Sequence, residues 1–328
     1  LEPELTNAWG ALRRRILTPN VSATKLDVRG FHRKSPAAAE QLEAVGASFL
    51  VGYGYAAEAA TPDAATERLE QVPRPFRGFA YEGAAMGFAI RDGLPLGSHR
   101  QVEQFLAGAG APHIYMAYVG IGWAMARLPK FRWPRADRLD PLLRWLVLDG
   151  YGFHQAYFRT KRYVHDHYQD PDFSWPAGPE RWYANRALDQ GIGRACWFVG
   201  GTDPDVVADL LDAFPADRRA DLYSGAGLAA TYAGAADEAE LTRFRQRAGA
   251  HRPQVAQASA FAAEARVRAG LLVGHTAVAT TVFCGMTPEQ AARTSAELQP
   301  AGPVAAGLVA YEVWRQRLAN EFVSLGRC

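Results

Sequence analysis

Apolar and small residues run through this chain in stretches of helical length, separated by more polar stretches with clear start and stop signals. The runs 81–90, 115–128, 142–158, 187–199 and 222–233 each lead into glycine, proline or a loop containing them. Gly or Pro just past a helical run is the expected stop. Between them lie polar helices with capped starts. Asp203-Pro204 opens 205–214, Thr287-Pro288 opens 290–298, and Ser98 precedes 99–106. The first two combine an N-cap side chain with proline at the first helical position. Alternating β-branched segments are scarce, so the pattern predicts an all-α fold. Residues 21–28 are the exception and read either as a short strand or as an extended lead-in.

A phrase of small residues recurs inside these runs. The copies are VGYG from Val51, EGAA from Glu82, VGIG from Val119, DGYG from Asp149, QGIG from Gln190, SGAG from Ser224 and SAFA from Ser259, with a weaker TAVA from Thr276. Their starts are 31, 37, 30, 41, 34, 35 and 17 positions apart. A period near 35 is what one pair of packed helices consumes, so the expectation is a helix-turn-helix repeat array, tetratricopeptide-like or a curved α-solenoid. Glycine inside a helix costs about 1 kcal/mol relative to alanine. Repeated use therefore implies compensation, here backbones approaching where a larger side chain would hold them apart. The expected organisation is an N-terminal segment, 1–34, and one helical-repeat domain, 35–328, with an insertion near 158–181. That insertion, FRTKRYVHDHYQDPDFSWPAGPER, is long and aromatic; it reads as a lid or as a surface loop, with 161–168 helical.

Composition narrows the function classes. The chain is 48% hydrophobic and 21% charged, with a formal net charge of +2, which argues against nucleic acid as the main partner. Arg13, Arg14 and Arg15 sit on one turn and read as a solvated face. Cys196, Cys284 and Cys328 form an odd, widely spaced set, better read as free thiols in a reducing compartment than as disulfides or a zinc site. The N-terminus shows no signal-peptide pattern, and the most apolar segment, 271–286, is too short for a membrane span. The expectation is a cytoplasmic protein.

Candidate chemistry follows from the repeat. The position before the first small residue of each phrase reads Val51, Glu82, Val119, Asp149, Gln190 and Ser224, with Asp189 one step earlier. Equivalent positions of a curved array point towards a common axis, and polar groups on an apolar face cost free energy unless paired. The recurrence predicts a paired network or a functional groove. Buried carboxyls tend to have raised pKa values suited to proton transfer near neutrality. Asp149, Glu82 and Asp189 are the candidate acids, bases or metal ligands, assisted by His154 and His113. His154, five residues after Asp149, lies about 140° around the helix from it. The candidate substrate-binding residues are Tyr115, Trp123, Tyr151, Phe153, Arg194, Trp197 and Ser224. GYGYAAE from Gly52 lacks the βαβ context of a dinucleotide site, His165-Asp166-His167 reads as solvated, and GxSxG, phosphate-loop and HExxH motifs are absent. Cofactor and metal use stay open.

The segments FAYEGAAMGFA, PHIYMAYVGIGWAMARLP, LLRWLVLDGYGFHQAYF, LDQGIGRACWFVGG and DLYSGAGLAATYAG together resemble a bacterial family of roughly this length, long catalogued as a domain of unknown function. Its members occur beside enediyne-type polyketide synthase genes in actinobacterial clusters. The resemblance covers roughly residues 22–317. It implies a role after the iterative synthase, when a linear, highly unsaturated polyene is converted towards the enediyne core. It also implies action with two other products of the gene cassette, one of them membrane-embedded. It carries over no set of catalytic residues. Three readings follow: an enzyme or substrate-holding subunit acting on a polyketide-derived polyene, a non-catalytic array docking partner proteins on its concave face, and a protein sequestering the toxic product.

Overall fold

The small-residue phrases set how closely this chain packs on itself. The structure, a computed structural model, describes residues 2–94 and 100–328, with side chains from residue 8 onward. Through the described residues run the helices α1 (Glu2–Leu17), α2 (Leu26–Arg29), α3 (Pro36–Glu58), α4 (Pro62–Leu69), α5 (Arg74–Gly93), α6 (Gln101–Ala107), α7 (Ile114–Met125) and α8 (Trp145–Phe158). They are followed by α9 (Ala184–Val199), α10 (Pro204–Asp212), α11 (Ala216–Tyr232), α12 (Glu238–Ala248), α13 (Arg252–Arg268), α14 (Gly274–Cys284), α15 (Pro288–Leu298) and α16 (Ala310–Ser324). No strand occurs among the described residues. The fold is all-α.

Inner helices α3, α5, α7, α8, α9, α11, α13 and α15 pack in succession, each on the next, while α10, α12 and α14 form an outer row. Glycine makes the inner contacts possible. A Cβ on Gly122 would lie 1.9 Å from the Val147 carbonyl oxygen, and one on Gly150 would lie 2.0 Å from that of Val119. These two glycines therefore let α7 and α8 meet backbone to backbone, as the sequence implied. The same register recurs, with Gly120 on the Glu82 carbonyl, Gly191 on that of Asp149 and Gly225 on that of Gln190. From α7 to α11 the first glycine of each phrase thus rests on the residue that heads the preceding phrase, whereas Gly83 of α5 rests on the Phe49 carbonyl.

The row curls until its early members meet its late ones. Arg74 Nη2 donates to the Gly270 carbonyl (2.6 Å), Arg266 Nη1 to that of Pro75 (3.1 Å), Gln41 Nε2 to that of Ala233 (3.2 Å), and Lys34 Nζ to that of Ala235 (2.9 Å). Helix α16 closes the assembly from within. Arg315 Nη1, 4% exposed at the residue level, donates to Tyr183 Oη (2.7 Å), Asp221 Oδ1 (2.6 Å) and Glu312 Oε2 (3.1 Å).

Several local expectations are corrected. Residues 21–28 form neither a strand nor an extended segment: Asn20 Oδ1 accepts from the Ser22 N–H, Val21–Thr24 makes a 3-10 turn, and α2 ends at Gly30 in the left-handed conformation. Arg13 and Arg14 are not a solvated face. Arg13 donates to the carbonyls of Ala57, Glu58 and Ala59, and Arg14 pairs with Glu58 (2.8 Å), so α1 docks on the carbonyl end of α3, where cations are favoured. TAVA lies on outer helix α14, which accounts for its short spacing. The insertion holds a π-helical turn, Lys161–His165, and anchors through Trp175 Nε1, which donates to the Pro134 carbonyl (2.8 Å). The caps at Asp203 and Thr287 form as expected; the start at Ser98 and His99 lies outside the described residues. No helix among the described residues is long and apolar enough to cross a membrane.

Close backbone contact gives a direct test. Gly122→Ala gains about 1 kcal/mol of helix propensity but forces α7 off α8, for an expected net loss of about 2 kcal/mol in denaturant unfolding. Gly274→Ala, where an added Cβ meets nothing within 4 Å, should be neutral within about 0.5 kcal/mol. Equal effects of the two substitutions would contradict the packing described.

Candidate functional site

The curled row leaves space at its axis. Side chains from α3, α5, α7, α8, α9 and α11, with residues 19–24 at the rim, enclose a cavity of about 510 Å³. Its walls are apolar and aromatic, including Phe49, Phe79, Met86, Trp123, Phe153 and Phe198. The aromatic wall is continuous: Trp123 packs on Phe49 (4.4 Å between centroids) and on Phe153 (5.1 Å), which in turn packs on Phe198 (5.3 Å). Such a lining, with few polar groups, is the usual form of a small-molecule site.

The polar groups converge at one end. Glu82, from α5, is 2% exposed and lies 4.0 Å from Arg194 Nη2 of α9. Arg194 Nη1 donates to Asp149 Oδ1, a short charge-assisted contact, and Gln190 Nε2 donates to Asp149 Oδ2 (2.7 Å). Tyr311 of α16 completes the cluster by bonding Gln190 (3.1 Å). One guanidinium thus serves two carboxyls. Burial pushes the Glu82 carboxyl up to about 7, and Asp149 pushes the same way while Arg194 opposes. Asp149 holds the closer claim on Arg194, so Glu82 is the group free to carry a proton at neutral pH.

Five buried polar atoms on the cavity wall have no hydrogen-bond partner: Tyr53 Oη, Trp123 Nε1, His154 Nδ1, Arg194 Nε and Tyr232 Oη. Buried polar groups are nearly always satisfied, and a cluster of exceptions marks a place where something else supplies partners. The Trp123 indole is near enough to Glu82 to favour its charged form without completing a well-directed hydrogen bond. His154 stands edge-on to Trp123, 5.5 Å between centroids. Burial, with Arg127, Arg159 and Arg29 nearby, pushes its imidazole down to about 3, so it is neutral and suited to hydrogen bonding.

The structure gathers some of the sequence candidates and disperses others. Glu82, Trp123, Phe153, His154 and Arg194 line the main cavity. Asp149 and Tyr115 line a small void of about 40 Å³ on the other side of Arg194, where Tyr115 donates to Glu264. Asp189 does not join them. It pairs with Arg218 through both oxygens (2.9 and 2.6 Å), beside a separate pocket that also takes Tyr151. One residue is 100° on a helix, so Asp189 faces α11 while Gln190 faces Asp149. His113 stacks on Tyr81, 3.6 Å between centroids, and burial lowers it to about 4. Trp197 donates to the Gly234 carbonyl (3.0 Å) and packs on Phe244, and Ser224 donates to Gln257 (3.0 Å); both are core. Tyr53, Tyr232 and Gln190 were missed as site residues. Gln190 stood in the polar column and was recoverable, whereas aromatic residues in apolar helices carry no sign of which way their hydroxyls point. Among the described residues no three His, Cys, Asp or Glu side chains converge as a metal cage would need.

Residues 8–322 match the model of a family described as a protein of unknown function, DUF1702, and the chain belongs to that family. No curated protein and no solved structure matches it.

The Glu82 environment has a measurable consequence. The unfolded carboxyl titrates near 4.5 and the folded one near 7, so the folded state holds the extra proton between those values. Wild-type stability from this group therefore falls as pH rises from 4.5 to 7, then levels off. Glu82→Gln, which carries no charge, should be more stable than wild type by about 3 kcal/mol at pH 8, with the gap vanishing below pH 4.5. Denaturant unfolding across this range reads it; a gap independent of pH would contradict the burial argument.

Proposed function

We propose that this DUF1702 member binds a linear, highly unsaturated, polyketide-derived chain in its axial cavity and moves a proton at the chain's buried end. The observation carrying the reading is the union of an aromatic-walled cavity, unpartnered polar atoms on its wall, and a carboxyl raised to about 7 at its end. A conjugated chain is apolar, polarisable and prone to side reactions, and aromatic walls stack on it while excluding water. Glu82 holds the proton, and when it gives the proton up Arg194 stabilises the carboxylate left behind. Tyr232 Oη, also close enough to act on Glu82 and Arg194 electrostatically, supplies a neutral donor for the chain end. On the sequence resemblance we assign this step to enediyne core formation, downstream of an iterative synthase and in concert with cassette partner proteins, one membrane-embedded.

A docking array would expose an open concave face; the axial space here is lined by aromatic side chains, which favours a small ligand. Production in the host separates catalysis from simple holding. Glu82→Gln should abolish downstream product while the purified variant still carries the polyene absorbance. Ala229→Phe, which fills the cavity from α11, should lose both. Full product formation by Glu82→Gln, with the polyene retained, would replace the proton-transfer reading by a sequestering or carrier role, and full formation by Ala229→Phe would remove the cavity from the account.

A further inference from the structure

The cavity has two polar ends, and its rim is built differently from its buried end. At the rim stand Arg127, two residues past α7, and Arg159, directly after α8, both exposed and both lining the cavity. Among the described residues neither guanidinium forms an ion pair. Most arginines elsewhere in the fold are committed, Arg194 to Asp149, Arg218 to Asp189 and Arg315 to Asp221. Among the described residues the only carboxyl on the cavity wall is Glu82, at the far end beside Arg194.

Two neutral donors lie with these cations. His154 Nδ1 is buried without a partner. Tyr53 Oη is likewise buried and unpartnered. Arg127 is close enough to act electrostatically on both, and Arg159 and Arg29 act on His154 as well. Arg29 is itself held by the Tyr157 carbonyl (2.9 Å) and lies over the Phe158 ring (4.9 Å). Arg159 also borders the neighbouring pocket that contains Asp170 and Asp189, which leaves Arg127 as the cation aimed at the main cavity alone. Two unpaired cations and two unsatisfied donors at the mouth of an apolar channel match an anionic acceptor at the end of an apolar chain.

We infer that the natural ligand is a single-chain acid, its carboxylate held at the rim by Arg127 and Arg159 with hydrogen bonds from Tyr53 and His154, and its unsaturated chain running inward to Glu82. This rests on the ligand-binding reading above and narrows it to a substrate class: a polyenoic acid, in contrast to a bare hydrocarbon. It also fixes polarity, placing the chain's methyl-terminal region, and not its carboxyl carbon, at the proton-transferring end.

Fluorescence titration of the purified full chain tests it, with three probes that differ in the head. These are cis-parinaric acid (a conjugated tetraene acid), its methyl ester, and diphenylhexatriene (a neutral polyene with no head group). The acid should bind about tenfold or more tightly than the ester, and its affinity should fall with added salt while that of diphenylhexatriene does not. The Arg127→Ala/Arg159→Ala pair, both at exposed positions, should erase the acid's advantage and leave diphenylhexatriene binding unchanged. Equal affinity of acid and ester in wild type, or an advantage that survives loss of both arginines, overturns this inference while the cavity reading stands. Failure of all three probes to bind overturns the cavity reading, and this inference with it.

Discussion

Everything in this fold depends on helices meeting backbone to backbone. Inner helices with ordinary side chains pack 8–10 Å apart; glycine at the contact removes the spacer, and carbonyl oxygens then sit where a Cβ would be. The price is the glycine's poor helix propensity, incurred in the six phrases from Val51 to Ser224. What it yields is a row of thin, closely spaced rods that curls tightly enough for α3 and α5 to reach the ends of α11 and α13. A row spaced by leucines would be wider and flatter. Curvature then puts one face of α3, α5, α7, α8, α9 and α11 around a single axis, and that geometry, more than any individual residue, creates the cavity.

The same closeness shapes the electrostatics. At the axis there is room for only a few polar side chains and little water, so each must be satisfied by a neighbouring helix. Most carboxyls find an arginine: Asp189 has Arg218, and Asp221 has Arg186 (2.8 Å) and Arg315. Asp149 and Glu82 share Arg194, and the sharing is unequal. A structural ion-pair network alone would pair every charge. Where other buried charges lack an ion pair, hydrogen bonds replace it: Arg91 and Arg266 donate to backbone carbonyls, and Glu264 accepts from Tyr115 and Ser295. The Glu82 carboxyl at the inner end and the Arg127 and Arg159 cations at the rim face the same void.

How much of this was legible in the sequence follows from what a period can encode. Spacing near 35 fixes which positions are equivalent, so the column Glu82, Val119, Asp149, Gln190 and the close approach of helices at the glycines could be read without coordinates. Equivalence along the chain does not fix which neighbour a side chain meets. Ser224 occupies the column yet turns to Gln257 on α13, and Asp189, one residue off, turns to Arg218. His113 and Trp197 looked like site residues because they flank phrases; stacking on Tyr81 and packing on the outer row claim them instead. Tyr53 and Tyr232 were invisible because a helical tyrosine in an apolar run reads as core. Their unsatisfied hydroxyls are a property of the closed ring, and of no local pattern.

The central claim is that curling encloses an apolar cavity in which Glu82 keeps a proton near neutral pH. Carbon-13 NMR of the glutamate side-chain carboxyls, assigned by the resonance missing from Glu82→Gln, measures it directly. The account predicts one glutamate titrating near pH 7, with its titration displaced when a neutral polyene fills the cavity. A Glu82 that titrates near 4.5 and does not respond to the added polyene would contradict it.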